Sequence, residues 1–66
     1  MEDFKKRLLI EKEELDDKRI KLRNFLQTDN FNSLDDKNRN LLIKQFKVMT
    51  EYSNILKKRI GLIINE

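Results

Sequence analysis

Thr28-Asp29-Asn30-Phe31-Asn32-Ser33 is the one stretch of this 66-residue chain that breaks an otherwise helical pattern. Asp, Asn and Ser bond their own backbone or tolerate left-handed geometry, so they interrupt helices and form turns. On either side the chain has no Pro and a single Gly, which favours long uninterrupted helices. Upstream, Phe4, Leu8, Glu11, Leu15, Lys18, Leu22 and Phe25 recur at alternating steps of four and three, a heptad rhythm. That rhythm predicts a first helix over about residues 3–27, roughly 40 Å long. Pairs with the acid four residues before the base support it: Glu2/Lys6, Asp3/Arg7, Glu14/Lys18 and Asp17/Lys21.

Downstream, a second helix is predicted from about residue 34 or 36 to 60. Ser33 with Asp36 has the spacing of a capping box, and Asp35 is the alternative cap. Phe31 and Leu34 are apolar residues in the turn and are expected to plug the end of a hairpin. Gly61 stands where a helix C-cap belongs, with residues 61–66 as a short apolar tail. The short connection at 28–33 implies an antiparallel hairpin forming a single domain. The register follows: Phe25 near Leu41 or Leu42, Leu22 near Gln45, Leu15 near Tyr52, and Leu8 near Arg59 or Ile60. The expected fold class is therefore all-α, a two-helix hairpin assembling into an oligomeric helical bundle.

Two observations ask for the oligomer. A chain this short buries only about 60% of its unfolded surface, and small scaffolds usually need a staple. Cys and His are both missing, which removes disulfides, ordinary zinc and haem sites, and the Ser-His and Cys-His nucleophiles. The second helix is also apolar over more than one partner can cover: Leu41, Leu42, Phe46, Val48, Met49, Tyr52, Ile55, Leu56, Ile60 and Ile63.

Charged residues are 41% of the chain and the net charge is +3. Folding back the hairpin gathers Lys18, Arg19, Lys21, Arg23, Lys44 and Lys47 near the turn. It gathers Lys5, Lys6, Arg7, Lys57, Lys58 and Arg59 near the open end. Between them lies an acidic band, Glu11, Glu13, Glu14, Asp16 and Asp17. Separated basic zones suit a compact phosphate ligand, whereas the band would interrupt a track along a nucleic-acid backbone. Four polar residues fall on the expected seams: Glu11, Lys18, Gln45 and Arg59. Glu11 and Arg59 could pair, and Gln45 could fix register. Lys18 either reaches solvent along its stem or points into a pocket between copies. Tyr52 is either core with its hydroxyl at the rim or a pocket wall. Phe4 is core, interface or a base-stacking ring.

No constellation of acids, bases or nucleophiles suggests an enzyme. One Gly excludes a Gly-rich phosphate loop, and no cofactor or metal is expected. No apolar run approaches a membrane span, and Met1-Glu2-Asp3-Phe4-Lys5-Lys6 does not read as a secretory signal, so a cytosolic protein is expected.

The pattern Arg7-Leu8-x-x-Glu11-x-x-x-Leu15-x-x-Lys18-x-x-x-Leu22-x-x-Phe25, then Phe31-x-x-Leu34, then Leu41-Leu42-x-x-Gln45-x-x-x-Met49-x-x-Tyr52-x-x-x-Leu56-x-x-Arg59-Ile60, covers nearly the whole chain. It resembles very small bacteriophage hairpin proteins, related to the anti-CBASS and anti-Thoeris sponges. The resemblance implies a homo-oligomer, dimer to hexamer, in the cytoplasm of an infected bacterium. It implies that a cyclic di- or trinucleotide, or a related nucleotide second messenger, is held between protomers without cleavage. It makes Lys18 the first phosphate-binding candidate, Arg7 and Arg59 further charge donors, and Phe4 and Tyr52 base-stacking candidates. Two other readings stand beside it. One is an interaction module docking helix 2 on a host or phage protein; the other is a small basic nucleic-acid-binding protein.

Overall fold

The computed structural model describes residues 2–64. Three helices follow one another: α1 (Glu2–Phe25), α2 (Asp29–Asn32) and α3 (Asp36–Ile64). Helices α1 and α3 pack antiparallel into a rod of 47 × 14 × 14 Å, and α2 closes one end.

The turn is more ordered than a plain loop. As α1 ends, the backbone changes from i−4 to i−3 bonding: Gln27 N–H donates to Asn24 at 3.2 Å and Thr28 N–H to Phe25 at 3.0 Å. This tightening satisfies carbonyls that a helix end otherwise leaves open. Thr28 then caps α2. Its Oγ1 accepts from Phe31 N–H at 3.2 Å and donates to the Phe25 carbonyl at 2.6 Å, linking the two helices through one atom. Phe31 is buried, edge-on to Phe25 with ring centroids 6.1 Å apart, and forms the plug expected of it. At the start of α3 the cap is Asp35, whose Oδ1 accepts from Asn38 N–H at 3.1 Å. Ser33, the other candidate, instead donates to the Asn30 carbonyl at 2.7 Å.

Helix α3 does not stop at Gly61. It continues to Ile64, so described residues 61–64 are a last helical turn and not a tail, while 65–66 lie outside the described residues. A glycine ends a helix by adopting positive φ, and Gly61 does not adopt it.

The hairpin seam is displaced from the expected one by one residue where polar side chains were placed on it: Lys12 and Arg19 stand in for Glu11 and Lys18 on α1, and Phe46 and Ile60 for Gln45 and Arg59 on α3. On α1 the half-buried and buried positions are Leu8, Lys12, Leu15, Asp16, Arg19, Leu22 and Phe25, with Leu26 half-buried just past its end. On α3 Leu42, Phe46, Met49, Ser53, Leu56, Ile60 and Ile63 recur four and three apart, and Arg39, Thr50 and Gly61 are half-buried beside them. Glu11, Lys18, Gln45 and Arg59, expected on the seam, are all exposed. Lys12 and Arg19 take the inner positions because their methylene stems lie along apolar surface while their charged ends reach a carboxylate. The register is close to expectation: Leu8 shares a small apolar cavity with Ile60 and Ile63, and Asp16 meets Ser53.

Candidate functional site

The middle of the seam is polar. Asp16 accepts from Lys12 Nζ at 2.5 Å on its own helix and from Ser53 Oγ at 2.5 Å across the hairpin. Arg19 Nε stands 3.6 Å from the same carboxylate, shielded from water and without a hydrogen bond. The Lys12 ammonium above all, then the Ser53 hydroxyl, hold the Asp16 carboxyl below its ordinary value of 3.8, against the opposing effect of burial. These four residues were not singled out as a set in the sequence. The available signals were the i,i+4 spacing of Lys12 and Asp16, and the place of Ser53 in the four-three rhythm of α3. Their chemistry is structural: Lys12 and Ser53 are committed to Asp16 by hydrogen bonds, and Arg19 is drawn to it by charge alone.

The sequence-predicted residues lie elsewhere, on one flank of the rod. Tyr52 donates its hydroxyl to Glu11 Oε2 across the two helices. This contact takes the place of the expected Glu11–Arg59 pair, which is not formed. The Asp16–Ser53 contact puts Lys18 within a turn of Tyr52 along the axis and Arg59 within a turn of Glu11 and Arg7, with Gln45 nearer the connection and Phe4 at the open end. Arg7 falls between Phe4 and Glu11 on the same stripe of α1. The flank therefore runs from Gln45, past Lys18 and Tyr52, to Glu11, Arg7 and Arg59, and ends at Phe4. Phe4 is 52% and Tyr52 41% exposed, so both rings are open to a ligand or a neighbour. Among the described residues, no ion pair involves Arg7, Lys18 or Arg59, whereas Lys21 is paired with Asp17 at 3.1 Å and Arg39 with Asp36. Of the other expected helix pairs, neither Asp3/Arg7 nor Glu14/Lys18 is formed; Glu2/Lys6 involves a side chain outside the described residues.

The concave surfaces of a single copy do not suit an anionic ligand. A groove of about 470 Å³ is lined by Leu9, Lys12, Glu13, Asp16, Asp17 and Ile20. A second, of about 410 Å³, is lined by Ile10, Glu13, Glu14 and Asp17. Their carboxylates repel phosphate. The apolar cavity beside Leu8 and Ile60 holds about 80 Å³, far below the few hundred of an ordinary ligand site. Among the described residues no helix is long and apolar enough to cross a membrane.

In a comparison with protein-family models, residues 2–62 match the family described as Sequestin. No curated protein and no solved structure is matched.

Proposed function

The chain belongs to the Sequestin family, and from that premise we propose that it is a sequestering protein without catalytic activity. It binds a cyclic di- or trinucleotide, or a related nucleotide second messenger, and withholds it from its receptor. The setting is the cytoplasm of a bacterium infected by a phage whose product this chain is, and the signal is one of the CBASS or Thoeris type. The family name supports sequestration. The observation that supports this ligand chemistry is the single flank carrying Arg7, Lys18 and Arg59 with the open rings of Phe4 and Tyr52. Cations meet phosphates there and rings meet bases.

The grooves of one copy are acidic or small, so the ligand is held where this flank meets another copy. Hydrogen bonds to charged groups contribute about 1.5–3 kcal/mol each. Three of them approach the roughly 8 kcal/mol of a micromolar complex before stacking is added. Glu11 and Glu14 are the carboxylates on this stripe of α1, and Tyr52 already donates to Glu11.

The test is a ligand recovery. The purified protein is incubated with a mixed panel of cyclic di- and trinucleotides and cyclic ADP-ribose isomers, washed, and heat-denatured, and the eluate is read by mass spectrometry. An intact signal molecule in the eluate is the expected result. Lys18→Ala should weaken its capture about 10- to 100-fold, the worth of one charge-assisted contact, and leave helicity unchanged. An empty eluate with the panel unconsumed removes the nucleotide reading, and a consumed panel with cleaved products removes the non-catalytic one.

The interaction-module reading draws on the exposed apolar stripe of α3. A closed assembly of this chain alone covers that stripe and removes that reading. Strongly salt-dependent binding of DNA or RNA would instead favour the third.

A further inference from the structure

Helix α3 carries a second stripe one residue out of step with the hairpin seam: Leu41, Gln45, Val48, Tyr52, Ile55, Arg59 and Leu62. Its steps are also four and three, and all seven residues are exposed. One residue is about 100° of helix, close to the angle between neighbours in a four-helix bundle. The order of chemistries along it is a near palindrome about Tyr52. Leu41 mirrors Leu62, Gln45 mirrors Arg59, and Val48 mirrors Ile55. A two-fold interface needs this property, because residue i must fit residue j while j fits i.

We propose that a second copy of this chain docks on this stripe, α3 against α3 and antiparallel, with the two-fold axis passing by Tyr52. Val48 then meets the partner's Ile55, Leu41 meets the partner's Leu62, and the Gln45 carbonyl accepts from the partner's Arg59. The parallel alternative sets Arg59 against the partner's Arg59, two like charges on an apolar seam. Apolar surface also asks for a cover. Leu41, Val48, Ile55 and Leu62 are 64%, 53%, 55% and 72% exposed, while the buried apolar residues of one hairpin are Leu8, Phe31 and Leu56. The stripe is about 30 Å by 10 Å, less than the roughly 800 Å² that each partner gives to a stable complex. The flanking residues of α1 therefore take part in the contact.

The consequence concerns the proposed ligand site, and in this respect the inference rests on the reading given above. Lys18 lies within a turn of Tyr52 along the axis. Antiparallel docking therefore brings Lys18 and Tyr52 of both copies to the two-fold, and Arg59 of one copy to the level of the partner's Gln45. Each copy completes the site of the other.

The absence of cysteine allows a clean test without any ligand. Single cysteines are introduced as Tyr52→Cys, Gln45→Cys and Arg59→Cys, and disulfide formation is followed under mild oxidation. Tyr52→Cys is expected to cross-link with itself. Gln45→Cys and Arg59→Cys are each expected to stay monomeric on a denaturing gel and to cross-link when mixed. Sedimentation of the parent should give an even number of copies. Val48→Glu should lower that number or, if assembly supports folding, reduce helicity in a concentration-dependent way. Self-linking of Gln45→Cys as fast as the mixture overturns the antiparallel register. A parent that sediments as a monomer, or no cross-link at any of the three positions, overturns the interface. A dimer that passes these tests but recovers no nucleotide sinks only the ligand reading.

Discussion

Two stripes run side by side along α3, offset by one residue and identical in rhythm, yet only one has a partner within the chain. The inner one, through Leu42, Phe46, Met49, Ser53, Leu56, Ile60 and Ile63, is at least half-buried throughout against α1. The outer one, through Leu41, Val48, Tyr52, Ile55 and Leu62, is exposed. Periodicity states that a helix face is apolar; it does not state which neighbour covers it. The polar interruptions are more telling. The inner stripe is broken by Ser53, a small hydroxyl that fits a closed seam and donates to Asp16. The outer one is broken by Gln45 and Arg59, long side chains able to reach a group on another molecule.

The largest expected effect separates the stripes directly. Leu56 is fully buried, so Leu56→Ala should cost about 2–5 kcal/mol. The loss should be visible as a lower urea midpoint at every protein concentration. Ile55→Ala, one residue away and 55% exposed, should shift the midpoint only where copies associate. Equal, concentration-independent losses at both positions would erase the distinction.

Next comes the turn that holds the inner seam together. Removing the Thr28 hydroxyl by Thr28→Ala should cost about 1 kcal/mol, because α2 loses its cap and Phe25 loses a donor. An unchanged thermal midpoint would mean that the plug residues alone shape the turn. A gain of about 0.5–1 kcal/mol is expected from Gly61→Ala. The position is helical, and a methyl group there meets nothing within 4 Å. A loss instead would show that Gly61 serves as a helix end in solution.

The smallest effect is electrostatic. The Asp16 carboxyl is held below 3.8 in the folded chain, so the unfolded chain takes up its proton first as pH falls. The stabilisation is present above about pH 4 and is lost as pH drops through the folded-state value. The parent should therefore lose more thermal stability than Asp16→Asn on acidification across that window. Parallel slopes for the two proteins would deny Asp16 this role.

Much of the hairpin was legible from residues alone. The Asn- and Asp-rich break, the Phe31 plug, the Asp35 alternative and an approximate register all follow from turn chemistry and from the lengths on either side. The displaced seam was not legible, for an identifiable reason. Counting apolar residues on the first helix draws the line through Phe4, Leu8, Leu15, Leu22 and Phe25, with Glu11 and Lys18 in its gaps. The chain instead turns Lys12 and Arg19 inward and leaves Phe4 half exposed. Their charge hides the apolar stems that do the packing. The end of α3 was misplaced because a glycine permits a helix stop without forcing one. The candidate flank was legible as residue types but not as a surface: Lys18, Arg59 and Tyr52 stood out as polar or amphipathic residues in a seam, and only the Glu11–Tyr52 contact shows that they share an outer face.

Among the described residues, both side-chain hydrogen bonds that tie α1 to α3 have the same character: Tyr52 to Glu11 and Ser53 to Asp16, each a neutral hydroxyl donating to a carboxylate. The ion pairs among the described residues stay within a single helix. Added electrolyte screens attraction between opposite charges, over a distance of about 8 Å at physiological strength, but leaves a hydroxyl donor largely untouched. Closure of the hairpin and capture of an anion should thus respond differently to the same salt titration. Circular dichroism should remain flat while a phosphate-bearing ligand is released, so brine can empty the protein without opening it.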